Sequence, residues 1–293
     1  MRIGGARGND LFVMLTGYFL INSSGIKWQK ILNLWLRLVL YSVIIFCALL
    51  MSGLETFSVK EALRSVMPVT HGRWWFPRTY FAFYLIHPYL NILLHSFSRK
   101  EYERFIIAVM IYWCIIPTFL HTLFSGSRLV DFICLYSLAA YFRLWAKDFG
   151  DKKFILYGLL FIAGDILAFI ALDIIGLKIP YFGEHAIGFA GMMKPFTLLS
   201  ALCLFLGFRK IELPASKAVN VIASASFGVY LLHENIFSRW LMWHKVFRVA
   251  SFQDSPYLIP YSLAVVLAVY FACTVIELAR AKIFRTLSLG RLS

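Results

Sequence analysis

The feature that most constrains this chain is a succession of apolar runs, many of them near 20 residues, separated by short basic or aromatic loops. An α-helix rises about 1.5 Å per residue and the hydrocarbon core of a bilayer is about 30 Å thick, so a run of this length matches one crossing. Nine runs can be placed: Leu11 to Ile21 (short), Ile31 to Met51, Trp75 to Phe97, Phe105 to Phe124, Leu129 to Trp145, Phe154 to Asp173, Ile187 to Phe208, Val219 to Phe237 and Tyr257 to Leu278. Hydrophobic residues make up 60% of the chain, well above the share of soluble domains. The expected fold class is therefore all-α, a polytopic transmembrane helical bundle of about nine spans. A single domain over residues 1–293 is expected, because no Pro/Gly/Ser-rich linker or charge block marks a second one.

The formal charge of +14 invites a nucleic-acid reading, but the basic residues sit in short clusters between apolar runs, so no nucleic-acid partner is expected. They read as orientation signals instead. Lys27, Lys30, Arg99, Lys100, Arg104, Lys147, Lys152, Lys153, Arg209, Lys210, Lys217 and a tail with Arg280, Lys282, Arg285 and Arg291 fall on one side. The alternate loops hold fewer: Lys60, Arg64, Arg73, Arg128, Lys178, Arg239, Lys245 and Arg248. The richer side is expected to be cytoplasmic, which places the C-terminus inside a multi-pass plasma (inner) membrane protein and Met1 outside. Met1 to Asp10 is polar and glycine-rich and reads as a loop rather than a signal peptide. An outside start with Arg2 and Arg7 before a short first span calls for a further helix upstream, ten in all. The five cysteines lie in apolar runs with no CxxC pair and no His/Cys spacing for zinc, so neither a disulfide framework nor a metal site is expected.

Charged groups inside a bilayer are costly, so those within spans are functional candidates. Arg37, Arg78, His87, Asp165, Asp173, Lys194, His233 and Glu234 stand out. Lys27, Lys30 and Arg37 converge where the second span leaves the cytoplasmic face, and such cations can grip an anion such as a phosphorylated cofactor. Snorkelling lysines obeying the loop-charge rule are the competing reading, and it weakens for the deeper Arg37. His233 beside Glu234 offers an acid/base element, although adjacent helical side chains point about 100° apart. A structural role at a helix end is the alternative, and the HExxH zinc pattern fails because Phe237 stands where its second histidine would be. In the segment PVTHGRWWFPRTYFAFYLIHPYLN, from Pro68 to Asn91, Trp74 and Trp75 fit an interfacial belt, whereas Arg78, His87 and Pro88 continue into the span as a cavity wall would. Asp173 reads as interfacial, and neither it nor Asp165 is given a functional role.

Three stretches together resemble acyltransferase family 3, the integral membrane acyltransferases that include surface-polysaccharide O-acetyltransferases. NDLFVMLTGYFLI, from Asn9 to Ile21, is similar to the family's second helix, with Thr16 in place of its serine, and KWQKILNLWLRLVLYSV follows at the family's distance. Pro68, Trp75, Phe76, Tyr80, Tyr84, Pro88 and Asn91 resemble its aromatic framework. Gly228, Tyr230, His233, Glu234 and Asn235 resemble its Gly-x-Tyr-Leu-Ile-His-Asp/Glu-Asn signature. The resemblance implies ten helices, with acyl-CoA, acetyl-CoA above all, as a co-substrate that is not permanently bound, and transfer to a hydroxyl of a polysaccharide or lipid-linked glycan.

By the same resemblance Lys27, Lys30 and Arg37 would hold the donor's phosphates, and Arg37, His233 and Glu234 would serve catalysis. Trp75, Arg78, Tyr80, Tyr84 and Asn235 would line the substrate cavity. The strict Arg-x-x-Arg of some members is absent. The histidine taken as the base in the family's first helix has no counterpart either, since the resemblance begins at the second helix. Two rivals stand beside this reading: a transporter or flippase of lipid-linked sugars, and a non-catalytic membrane partner. The transporter predicts two related halves, but the segment Pro68 to Asn91 has no counterpart in the second half.

Overall fold

The computed structural model describes residues 3–119, 127–179, 191–212, 214–252 and 255–286. Among the described residues the chain is helical with no strand. The main helices are α1 (Ile3–Leu20), α2 (Trp28–Met51), α3 (Val59–Val66), α4 (Trp75–Ser96) and α5 (Arg99–Met110). A π-helical turn, Ile111–Ile115, carries α5 into α6 (Ile116–Phe119). Then come α7 (Arg128–Leu144), α8 (Lys153–Gly176), α9 (Pro195–Phe208), α10 (Lys217–His233), the short α11 (Ile236–Trp240) and α12 (Leu258–Thr286).

A helix occupies each of the nine expected segments, but among the described residues only four helical stretches are both long and apolar enough to cross a membrane. They are Trp28–Met51, Arg99–Phe119, Lys153–Gly176 and Leu258–Phe284; Pro195–Phe208 is apolar but shorter. The expected span ends at 120–124 and 187–190, and the tail cation Arg291, lie outside the described residues. Local chemistry sets several boundaries. Ser98 and Glu101 form a reciprocal capping box at the start of α5, each side chain satisfying a backbone N–H of the first turn. Gly53 closes α2 in the left-handed region, at φ 68°, which a residue with a Cβ rarely adopts.

One start differs from expectation. The segment Met1 to Asp10 reads as a loop, yet α1 already begins at Ile3 and takes Arg7 and Asp10 into a buried helix face. Arg7 finds its partners inside the protein, donating to Ser200 and pairing with Asp165, which offsets the cost of burying its charge.

The chain divides into two compact units. The first comprises residues 1–26 and 82–213. Here α1 lies against α7 so closely that a Cβ at Gly17 would sit 2.5 Å from the Tyr136 carbonyl oxygen. Asn91 fixes the end of α1: its amide donates to the Leu20 and Ser23 carbonyls, both at 2.9 Å, and accepts from the Tyr136 hydroxyl at 2.6 Å. Helices α8 and α9 approach through small residues, with a Cβ at Gly207 lying 2.8 Å from the Ile155 nitrogen.

The second unit comprises residues 27–81 and 214–293. Its core joins Leu38, Tyr41, Ile45 and Leu49 of α2 to Leu231 of α10 and to Trp74, whose indole N–H donates to the Leu231 carbonyl at 3.0 Å. On the other side of α10, Val229 packs with Val265, Val269 and Cys273 of α12. The small helix α3 is tied down by Glu61, which accepts from Arg64 at 2.5 Å and from Arg73 at 2.6 Å. Arg73 also lies 4.7 Å from the Phe237 ring centroid, so one buried guanidinium links α3 to α11.

Candidate functional site

In the second unit, helices α2 and α12 bring two cations to one carboxylate. Arg37 lies about two and a half turns into α2 and donates through Nη2 to Glu277 Oε1 of α12. The Tyr41 hydroxyl, one turn further, donates to Oε2. Arg280 reaches back along α12, donating from Nε to Oε2 at 2.9 Å and from Nη2 to Oε1 at 2.8 Å. Helix α10 faces the same carboxylate with Gly228, where a Cβ would lie 2.6 Å from Glu277 Cγ, so the packing leaves room only for hydrogen.

Among the described residues two guanidiniums share one carboxylate, in a place where Glu277 and Arg280 are buried. Arg37 rests 5.3 Å from the Phe227 ring centroid, and its buried Nε has no hydrogen-bond partner among the described residues. A cationic centre with an unspent donor is suited to an anion that approaches through the partly open Arg37.

Lys27 and Lys30 stand exposed at the start of α2. Lys30 and Arg37 are seven residues apart, which puts them on one helix stripe about 10 Å apart along the axis. The structure thus aligns Lys30 with Arg37, while Lys27 occupies the cap position of α2.

The expectation for His233 and Glu234 needs correcting. Adjacent side chains diverge on a continuing helix, but α10 stops at His233 and Glu234 takes a capping conformation at φ −96°, ψ 0°. The turn brings His233 Nε2 to 3.8 Å from Glu234 Oε1, while Nδ1 donates to the Val229 carbonyl at 2.7 Å. Arg239 Nη1 lies 3.5 Å from the other Glu234 oxygen. Asn235 is buried, and its side chain accepts from the Phe237 N–H at 3.1 Å, capping α11.

The other expected cavity residues differ in exposure. Trp75 and Tyr80 are half-buried, Arg78 is exposed and Tyr84 is buried. A recess of about 460 Å³ in the second unit is lined by Trp28, Gln29, Ile31, Leu32, Trp35 and Phe81. Pro88 does not break α4. Without an N–H it leaves the Tyr84 carbonyl lacking its helical donor, and His87 Nδ1 supplies one at 2.6 Å. His87 therefore repairs the helix, and its Nε2 is buried with no hydrogen-bond partner among the described residues.

Residues 5–277 match the model of acyltransferase family 3, described as an acyltransferase domain. The chain belongs to this acyltransferase family. No curated protein and no solved structure matches it.

Within this acyltransferase, the signature residues acquire physical roles. Gly228 admits Glu277, Tyr230 packs its ring 6.1 Å from that of Phe76, His233 and Glu234 meet at the end of α10, and Asn235 starts α11. Sequence reasoning missed Glu277, Tyr41 and Arg280. Glu277 carried a usable signal, a carboxylate inside the apolar run Tyr257 to Leu278, of the kind that singled out Glu234. Arg280 was read only as a loop cation, and Tyr41 carries no signal in an aromatic-rich chain. Asp165, left unassigned, is buried in the first unit and pairs with Arg7. Asp173 is exposed near the end of α8.

Proposed function

We propose that this membrane acyltransferase moves an acetyl or similar acyl group from acyl-CoA to a hydroxyl of a cell-surface polysaccharide or lipid-linked glycan. The observation that carries the reading is the partly open Arg37, which shares Glu277 with Arg280 among the described residues and keeps a buried Nε with no hydrogen-bond partner among them. The donor's phosphates supply the matching anion, approached along the stripe from Lys30 to Arg37. In this reading the nine apolar segments span the plasma membrane, with the start of α2 and the end of α12 on its cytoplasmic side, where acyl-CoA is available.

His233 lies five residues beyond Gly228 on α10, about 7.5 Å along the helix. With Nδ1–H committed to Val229, Nε2 is left as the acceptor. As the acceptor hydroxyl attacks the thioester carbonyl, a C–O bond forms and the C–S bond breaks. The hydroxyl proton passes to His233 Nε2, Glu234 stabilises the resulting imidazolium, and the proton then goes to the departing thiolate.

The test uses the purified chain in lipid nanodiscs. Arg37→Ala is expected to weaken coenzyme A binding by about 10-fold or more, and Lys27→Ala by about 2-fold. Equal losses from the two would remove Arg37 from a specific donor role. Thiol release from acetyl-CoA, driven by host envelope glycan, is expected to fall by about 100-fold or more in His233→Ala. Passage of a lipid-linked sugar across proteoliposomes without thiol release would support a flippase instead.

A further inference from the structure

Helix α3, VKEALRSV, repeats apolar residues at helical spacing: Val59, Leu63 and Val66 fall at i, i+4 and i+7 and share one stripe. A helix lying on a protein in water turns such a stripe to the core and its charged residues outward. In α3 the order is reversed. Val59 is 66% exposed, Leu63 60% and Val66 48%, whereas the other side is held by the protein: Ser65 is buried, and Glu61 accepts from the buried Arg73 at 2.6 Å. The protein therefore grips α3 by its polar side and offers its apolar side to the surroundings.

What those surroundings are follows from the helix before it. Helix α2 is long and apolar enough to cross a membrane, and Ile44, Cys47 and Met51, at i, i+3 and i+7, form an exposed stripe along its second half. The exposed apolar residues do not stop where α2 ends. Leu54 and Phe57 of the connection are exposed and lead into Val59, and exposed Met67 follows Val66. The apolar side of α3 thus continues, along the chain, a stripe of a membrane-crossing helix. Lys60 is exposed about 100° around α3 from Val59, which puts an ammonium at the border of the stripe, where lipid phosphates would meet it. A connection surrounded by water would carry polar residues at these positions.

We propose that α3 is an in-plane membrane helix, lying along the bilayer surface at the end of α2 with Val59, Leu63 and Val66 among the lipid chains and Lys60 at the headgroups. Its partner is the lipid surface. The inference rests on α2 crossing the membrane and is independent of the acyl-transfer reading. The seat is tied to the rest of the unit through Arg73, which holds Glu61 and also lies against Phe237 of α11. Helix α11 carries Arg239 toward Glu234, so the lipid-seated helix supports the end of the unit where His233 and Glu234 meet.

The experiment places a nitroxide on single cysteines in the full chain, in lipid nanodiscs and a Cys47→Ser background, and reads its collisions with oxygen, which concentrates in lipid, and with a nickel chelate, which stays in water. Ile44→Cys on α2 is the lipid reference and Lys100→Cys, exposed at the start of α5, the water reference. The oxygen-to-nickel ratio at Val59→Cys and Leu63→Cys is expected to exceed that of Lys100→Cys by about 3-fold or more and to approach that of Ile44→Cys. A ratio equal to the water reference overturns the proposal. So does shielding of Leu63→Cys from both reagents, which would mean that another protein surface covers the stripe. A water-like ratio at Ile44→Cys removes the span and the proposal with it. A second measurement needs no substitution: the parent chain in phosphatidylcholine vesicles carrying a diazirine near the carbonyl end of one acyl chain is irradiated and its adducts are mapped. Adducts are expected between Phe57 and Met67 as well as on α2, and adducts on α2 with none between Phe57 and Met67 would also sink the idea.

Discussion

Arg37 and Glu277 are 240 positions apart in the chain and share a hydrogen-bonded ion pair. The pair is asymmetric, because Glu277 also serves Arg280 and Tyr41. Removing the carboxylate charge therefore takes an ion-pair partner from two guanidiniums at once. Glu277→Gln is expected to cost about 3 kcal/mol or more, the scale for breaking a buried pair. The measurement is the temperature at which the solubilised protein loses its monodisperse peak. Retention of the original midpoint would mean that the guanidiniums are held by other means.

Gly228→Ala tests the same centre by volume. The added methyl carbon meets Glu277 side-chain atoms, and the carboxylate has to leave its three donors to make room. Destabilisation of about 2–4 kcal/mol is expected, together with weaker coenzyme A binding. Gly25→Ala is the comparison, since nothing lies within 4 Å of its added carbon, and its midpoint should stay close to the parent's.

His87 and Pro88 form a compensating pair that a double-mutant cycle can read. His87→Phe removes the Nδ1 donor to the buried Tyr84 carbonyl, at an expected cost of about 1–3 kcal/mol. Pro88→Ala restores the backbone N–H to that carbonyl, so His87→Phe should cost much less when Pro88→Ala is already present. Additive losses in the double variant would refute the repair role of His87.

Glu61 links stability to pH. Its partial burial pushes the carboxyl up, but hydrogen bonds from Arg73 and Arg64 outweigh that and hold it below its ordinary value of 4.5. The stabilisation is therefore fully present above that ordinary value and is lost as pH falls through the lower folded value. Glu61→Gln should lower the melting midpoint by about 1–3 °C at pH 7. The gap between variant and parent should narrow as pH drops below the ordinary carboxylate value. A gap that stays constant down to pH 3 would show that the charge on Glu61 contributes nothing.

The sequence by itself determined which segments are helical. A run such as Ile31 to Met51 or Phe154 to Asp173 satisfies its own backbone and exposes apolar side chains, properties that neighbouring residues decide alone. It also marked Arg37, His233 and Glu234, because a charge within an apolar run stands out without knowledge of any partner. What the tertiary structure decided were the partners and the exceptions. Arg7 and Asp10 looked like a polar leader to α1 and became buried helix, since Asp165 and Ser200, distant in the chain, accept Arg7. His233 and Glu234 meet because α10 ends between them, and a helix end depends on what the following residues pack against. Glu277 became a centre because Gly228 admits it and three donors from two helices converge on it. Apolar run length is local and can be read along the chain, whereas the convergence of charges depends on long-range packing that no single run encodes.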